Sequence, residues 1–172
     1  MLDHIAVRSD ARAHDTHTDY ISSFRANAAC ARELARLYEE IATSLVPADA
    51  KAPEEPVVRR SPARCLVQLG PVALTIAWLQ RAQGTVADGE LLVVVWRGEV
   101  AVRTPQGFER AHQHSGASSA TALWESVLVA SAQSETQWGW VPAAGGGEAL
   151  SSSALANRCV ERLRAAYAEC TA

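Results

Sequence analysis

The sequence predicts an α+β domain, a mainly antiparallel sheet of about five or six strands with long N- and C-terminal helices packed on one face. Three observations carry this. Apolar residues recur at helical spacing through residues 20–45 and again through 151–170. Between Cys65 and Val141 the period drops to two, and the segments holding all five tryptophans lie there. The 172 residues are 48% apolar and 20% charged, which suits one domain with its own core.

Residues 1–15 are charged and without periodicity, so they are expected to form a flexible tail ahead of a single domain over 16–172. That opening segment has no apolar run of secretory type. A helix over 16–46 follows, with Asp15, Thr16 or Thr18 as its cap. Tyr20, Phe24, Ala31, Leu34, Tyr38, Ile41 and Leu45 form its stripe, with Ile21, Ala28, Ala35 and Ala42 alongside. Charged residues at those flanking positions would suit a coiled coil, whereas an alanine edge suits docking on a sheet. Asn27 is the polar exception: it either fixes a coiled-coil register or finds a hydrogen-bond partner. Pro47 ends the helix. Residues 47–63, rich in proline, alanine and charge, read as a linker that includes Arg59 and Arg60.

The sheet is expected over 64–142. In Val72 to Gln80, Val72, Leu74, Ile76 and Trp78 point one way and Ala73, Thr75 and Ala77 the other. Gly70-Pro71 before it serves as a bulge or a turn. Leu91 to Trp96 is apolar on both faces, as in a central strand. Arg97-Gly98 predicts a turn into a strand over Glu99 to Arg103. A second hairpin joins Thr121–Ala130 to Gln137–Val141 across a polar loop, Ser131 to Glu135. Gly145-Gly146-Gly147 breaks the sheet, and Ser151, Ser152 or Ser153 caps a last helix over 151–170. Leu155, Cys159, Leu163, Ala166, Tyr167 and Cys170 share its inner face. This element order is similar in outline to profilin-like domains and to the small dimeric chaperones of bacterial secretion systems, an analogy of architecture that does not fix function.

Net charge is −3 and the pI about 5.9, which argues against a nucleic-acid partner. No apolar run approaches bilayer-spanning length, so no membrane role is expected either. The cysteines Cys30, Cys65, Cys159 and Cys170 form no close pair in sequence and read as small hydrophobes of a reducing, cytoplasmic compartment.

Catalytic motifs are scarce. There is no Gly-x-Ser-x-Gly elbow, no Cys-x-x-Cys, no His-Glu-x-x-His and no phosphate loop. His112 and His114, one residue apart after a glycine, resemble the start of the cupin metal motif, but its acidic ligand and its second half are missing. His14 and His17 are a second, weaker pair. Glu125 is the one carboxylate within an otherwise apolar strand. Trp124, Trp138 and Trp140 share a face, either in the core or as a platform for a partner.

The expectation is therefore a non-catalytic module that binds a protein partner or itself, with no cofactor. The long first helix beyond a proline-rich linker would permit a homodimer by exchange. The rival from another class is a small-ligand or metal-binding protein using the His112/His114 loop and a tryptophan-lined cavity.

Overall fold

The computed structural model describes residues 20–45, 55–100 and 120–172. Helix α1 (Phe24–Leu45) precedes β1 (Val57–Ser61), β2 (Arg64–Leu69), β3 (Val72–Leu79) and β4 (Glu90–Arg97). Strands β5 (Thr121–Ser134) and β6 (Gln137–Pro142) and helix α2 (Ser152–Thr171) follow. All six strands form one antiparallel sheet in chain order, β1 to β6. Both helices pack on one face, as the sequence predicted.

Side-chain alternation builds the core from that face. Cys65 and Val67 of β2, Val72, Leu74 and Ile76 of β3, and Leu91, Val93 and Val95 of β4 join one buried cluster with both helices. From α1 the cluster takes Ala26, Cys30, Leu34, Leu37, Tyr38, Ile41 and Leu45. From α2 it takes Leu155, Ala156, Cys159, Val160, Leu163 and Ala166. Leu37 and Leu163 are fully buried, and sealing each such leucine is worth roughly 2 kcal/mol.

Polar contacts fix the helix pair. Ser151 caps α2, its hydroxyl accepting from the Ala154 amide at 3.1 Å. The next two serines donate to α1 carboxylates, Ser152 to Glu33 and Ser153 to Glu40, each at 2.7 Å. Two negative charges thus stand near the positive end of the α2 dipole. At the far end of α1, Arg164 donates to the Ser44 carbonyl at 2.8 Å, which α1 itself leaves unpaired. Glu39 pairs with Arg60 of β1.

Four expectations need correction. Residues 57–61 are strand β1, not linker: the Val-Val-Arg-Arg run pairs with β2 from Val57↔Gln68 to Ser61↔Arg64. Flanking prolines at 56 and 62 and exposed arginines protect that edge from further pairing. The first helix is interrupted, because a turn at Tyr20-Ile21 gives way at Ser22-Ser23, where the Ser23 hydroxyl bonds the Tyr20 carbonyl at 2.7 Å. Its buried stripe is rotated from the predicted one: Phe24 is 84% exposed and Ala31 is exposed, while Ala26, Cys30 and Leu37 are inside. The partner of β4 is β5, not a strand at 99–103. Gly98, at φ 104°, does turn the chain, but its amide bonds Pro71, and Val100 goes on to donate to the Gln68 side chain. Residues 101–103 lie outside the described residues, as do the predicted caps of the first helix.

One hairpin resolves the choice between bulge and turn at Gly70-Pro71, and another came out close to expectation. Gly70-Pro71 is a two-residue turn between Leu69 and Val72. Gly70 has φ 49°, which glycine adopts freely, and proline's fixed negative φ at the second position makes the turn type II′. The last hairpin is tighter than predicted, since β5 runs on to Ser134 and only Glu135-Thr136 separates the strands. Beyond it, the Leu150 backbone bridges Trp140 and occupies part of the β6 edge.

Candidate interaction surface

The tryptophans singled out from the sequence belong to the helix-packed side of the sheet. Trp140 is wholly buried, and its indole N–H donates to the Ser152 hydroxyl at 3.0 Å. It meets Trp138 and Trp78 edge-on, with ring centroids 5.8 and 5.9 Å away. Trp78 lies three strands from β6, and its ring reaches over because Gly89 leaves room: a Cβ there would stand 2.2 Å from the indole. Trp138 is half-buried with an unpartnered N–H, and Trp124 is half-buried beneath the Arg162 guanidinium at 5.7 Å. Trp140 therefore offers no surface to a partner in the intact fold; Trp124 and Trp138 offer only their margins.

Asn27 has a partner of its own kind. Its side-chain oxygen accepts from Gln80 at 3.3 Å, and Gln80 in turn accepts from the Trp78 indole at 3.0 Å. The residue is satisfied within its own chain, and α1 packs against α2 and the core. That removes the reason to expect exchange of this helix between subunits.

The other face of the sheet is a different matter. Register places Leu66, Thr75, Val94 and Glu125 in one row across β2 to β5, with Arg59 of β1 at its end. The rows on either side hold Ala73 with Trp96, and Ala77 with Leu92 and Val127. Val129 and Val141 continue the face toward β6. Thus β3 contributes only small side chains, all buried, forming the floor of a trough. Leu66 stands on one side of it and Leu92, Val94 and Trp96 on the other, with Leu66 and Val94 themselves buried in the single chain. The Trp96 indole leans over the floor and donates to the Thr75 hydroxyl at 3.1 Å. Leu92, Trp96, Val127 and Val129 are half-buried. Among the described residues both helices pack on the opposite face.

Chemistry does not converge here. Glu125 is exposed on this outer face, opposite Val94. His112, His114, His14 and His17 lie outside the described residues. Among the described residues no three His, Cys, Asp or Glu groups are placed to hold a metal ion. The four cysteines are free thiols, with Cys30, Cys65 and Cys159 buried. Cys30 sits within the buried stripe of α1.

The signals for this surface are present in the sequence. The small face of β3 and the two-sided apolarity of Leu91–Trp96 were both visible. What they needed was the strand order that sets them side by side. No protein-family model, curated protein or solved structure matches the chain. No helix among the described residues is long and apolar enough to cross a membrane.

Proposed function

We propose that this protein is a non-catalytic interaction module that binds protein through the outer face of its sheet. One observation supports this above the others: the sheet is apolar on both sides, while both helices cover the same side. A two-layer domain requires one apolar sheet face; on the second, Leu66, Thr75 and Val94 are buried while Leu92, Trp96, Val127 and Val129 keep part of their surface for a partner. Trp96 over a shallow floor, with leucine and valine walls, is the composition of an interface centre, and Arg59 and Glu125 supply a charged rim. Free thiols at four positions fit work in a reducing compartment, which favours the cytoplasm.

The test is site-specific photo-cross-linking in cells. A benzophenone amino acid replaces Val127 on the outer face, and in a control chain replaces Ala165, exposed on α2. The reading expects a protein adduct from position 127 and none from 165. Equal adducts at both positions, or none at 127, would reject it.

A further inference from the structure

We infer that the partner on the outer face is an apolar segment of another protein with basic residues toward both ends, docked on the β4 to β6 part of the sheet. The inference rests on the outer face being a protein-binding surface, and it adds the chemistry of the partner.

Two carboxylates border the part of this face that stays accessible. Leu66, Thr75 and Val94 are buried within the single chain, so the centre of the face offers little to a partner. Toward β6 the side chains are part-exposed instead. Leu92 of β4 stands beside Val127 of β5, and Val129 of β5 stands beside Val141 of β6. These four aliphatic side chains occupy two neighbouring rows and form one patch. Glu90 and Glu125 share its face. Glu90 comes one step beyond the Leu91↔Leu128 pair, level with Val129, and Glu125 lies two residues before Val127. Both carboxylates are exposed, and neither has an ion-pair partner among the described residues.

Strand geometry sets the spacing. From the level of Glu125 to that of Val129 is four residues along β5, and β4 is one strand away, so the carboxylates stand roughly 14 Å apart with Leu92 and Val127 between them. The arginines of this face, Arg59 and Arg64, are on β1 and β2, two or more strands from β4. The patch is therefore aliphatic and acidic. It repels the phosphates of a nucleic acid or an anionic lipid surface at both ends, and a second copy of the chain carries the same net charge of −3. A protein segment with an aliphatic middle and a lysine or arginine toward each end matches it. Its cations would be separated by about four residues if extended, or about nine if helical. The aliphatic side chains supply the contact, and the carboxylates at the rim select the partner.

Cross-linking from position 127 tests this when it is repeated in two further chains, one carrying Glu90→Lys with Glu125→Lys and one carrying Glu90→Gln with Glu125→Gln. Both positions are exposed, and thermal unfolding of each purified variant verifies the fold. The native charges should give an adduct whose linked peptide, read by mass spectrometry, has basic residues on both sides of an apolar stretch. The lysine pair should reduce that adduct by roughly tenfold and the milder glutamine pair by roughly threefold. An adduct undiminished in the folded variants, or a linked peptide without basic residues, overturns the inference while leaving the outer face as the binding surface. An adduct at twice the 18.4 kDa chain mass does the same, because the partner is then a second copy. No adduct at position 127 refutes both readings.

Discussion

Replacing Ser152 with alanine isolates one buried relay. Its hydroxyl accepts from the Trp140 indole at 3.0 Å and donates to Glu33 at 2.7 Å, and the residue is 2% exposed. Without it the indole N–H, on a side chain with no solvent exposure, has nothing to donate to. A buried donor left unpaired costs about 1–3 kcal/mol. Alanine is the better helix former by about 0.5 kcal/mol, which offsets part of that. A net loss of about 1–2 kcal/mol is expected, lowering Tm by roughly 4 °C in a domain of this size. Urea unfolding of wild type, Ser152→Ala, Trp140→Phe and the double variant completes the cycle. With phenylalanine at 140 the orphaned donor is gone, so Ser152→Ala should then cost clearly less, only the bond to Glu33 being lost. A single-variant loss below about 0.3 kcal/mol, or strict additivity, would show that water or another group satisfies the indole and would refute the reasoning.

Three further predictions follow from individual residues. Gly89→Ala drives a methyl into the Trp78 ring, so it should cost about 2 kcal/mol or more and alter the near-ultraviolet circular dichroism of the tryptophan cluster. Tyr38 buries a hydroxyl with no hydrogen-bond partner, so Tyr38→Phe should leave stability in urea unchanged or raise it by up to about 1 kcal/mol; a clear loss would reveal a hidden partner. Burial pushes the Cys30 and Cys159 thiols up to about 12 and Cys65 up to about 11, from the ordinary 9.0. The folded state thus keeps protons that the unfolded chain releases. Stability is full below pH 9, and as pH rises from there toward 11 to 12 it falls by as much as 1.4 kcal/mol per pH unit for each thiol. Denaturant midpoints across pH 8 to 11 would check the trend, and a chromogenic disulfide reagent at pH 8 should modify the half-buried Cys170 first.

Much of the fold was legible because it follows from local periodicity. The alternation in Val72–Leu79 names both its faces, and the spacing of Leu155, Cys159 and Leu163 names the inner side of α2. What was not legible has identifiable causes. Alanine sits as readily inside as outside, so Ala26, Ala28, Ala29 and Ala31 could not fix the rotation of α1, and the exposed Phe24 pulled the predicted stripe the wrong way. Strand β1 is a pairing partner of β2 before it is anything else, and five residues between prolines carry no period long enough to show it. Gly98 was a correct turn signal attached to the wrong partner, because a local turn does not say which strand lies across. The interaction surface suffered most. Its elements are Thr75, Val94 and Glu125, far apart in sequence and joined only by register. The tryptophans, by contrast, announced themselves by residue type and proved to be mainly core.

Leu92, Val127 and Val129 on the outer sheet face are part-exposed in the isolated chain, and the proposed function has them covered by protein in the assembled state. Methyl relaxation by a soluble gadolinium chelate reads this directly at Leu92, Val127 and Val129. The account predicts strong relaxation of these methyls in dilute protein and protection once the partner is bound, with Leu37 and Leu163 protected throughout. Outer-face methyls that are shielded even at the lowest concentration would show that the chain covers this face itself, and would contradict the account.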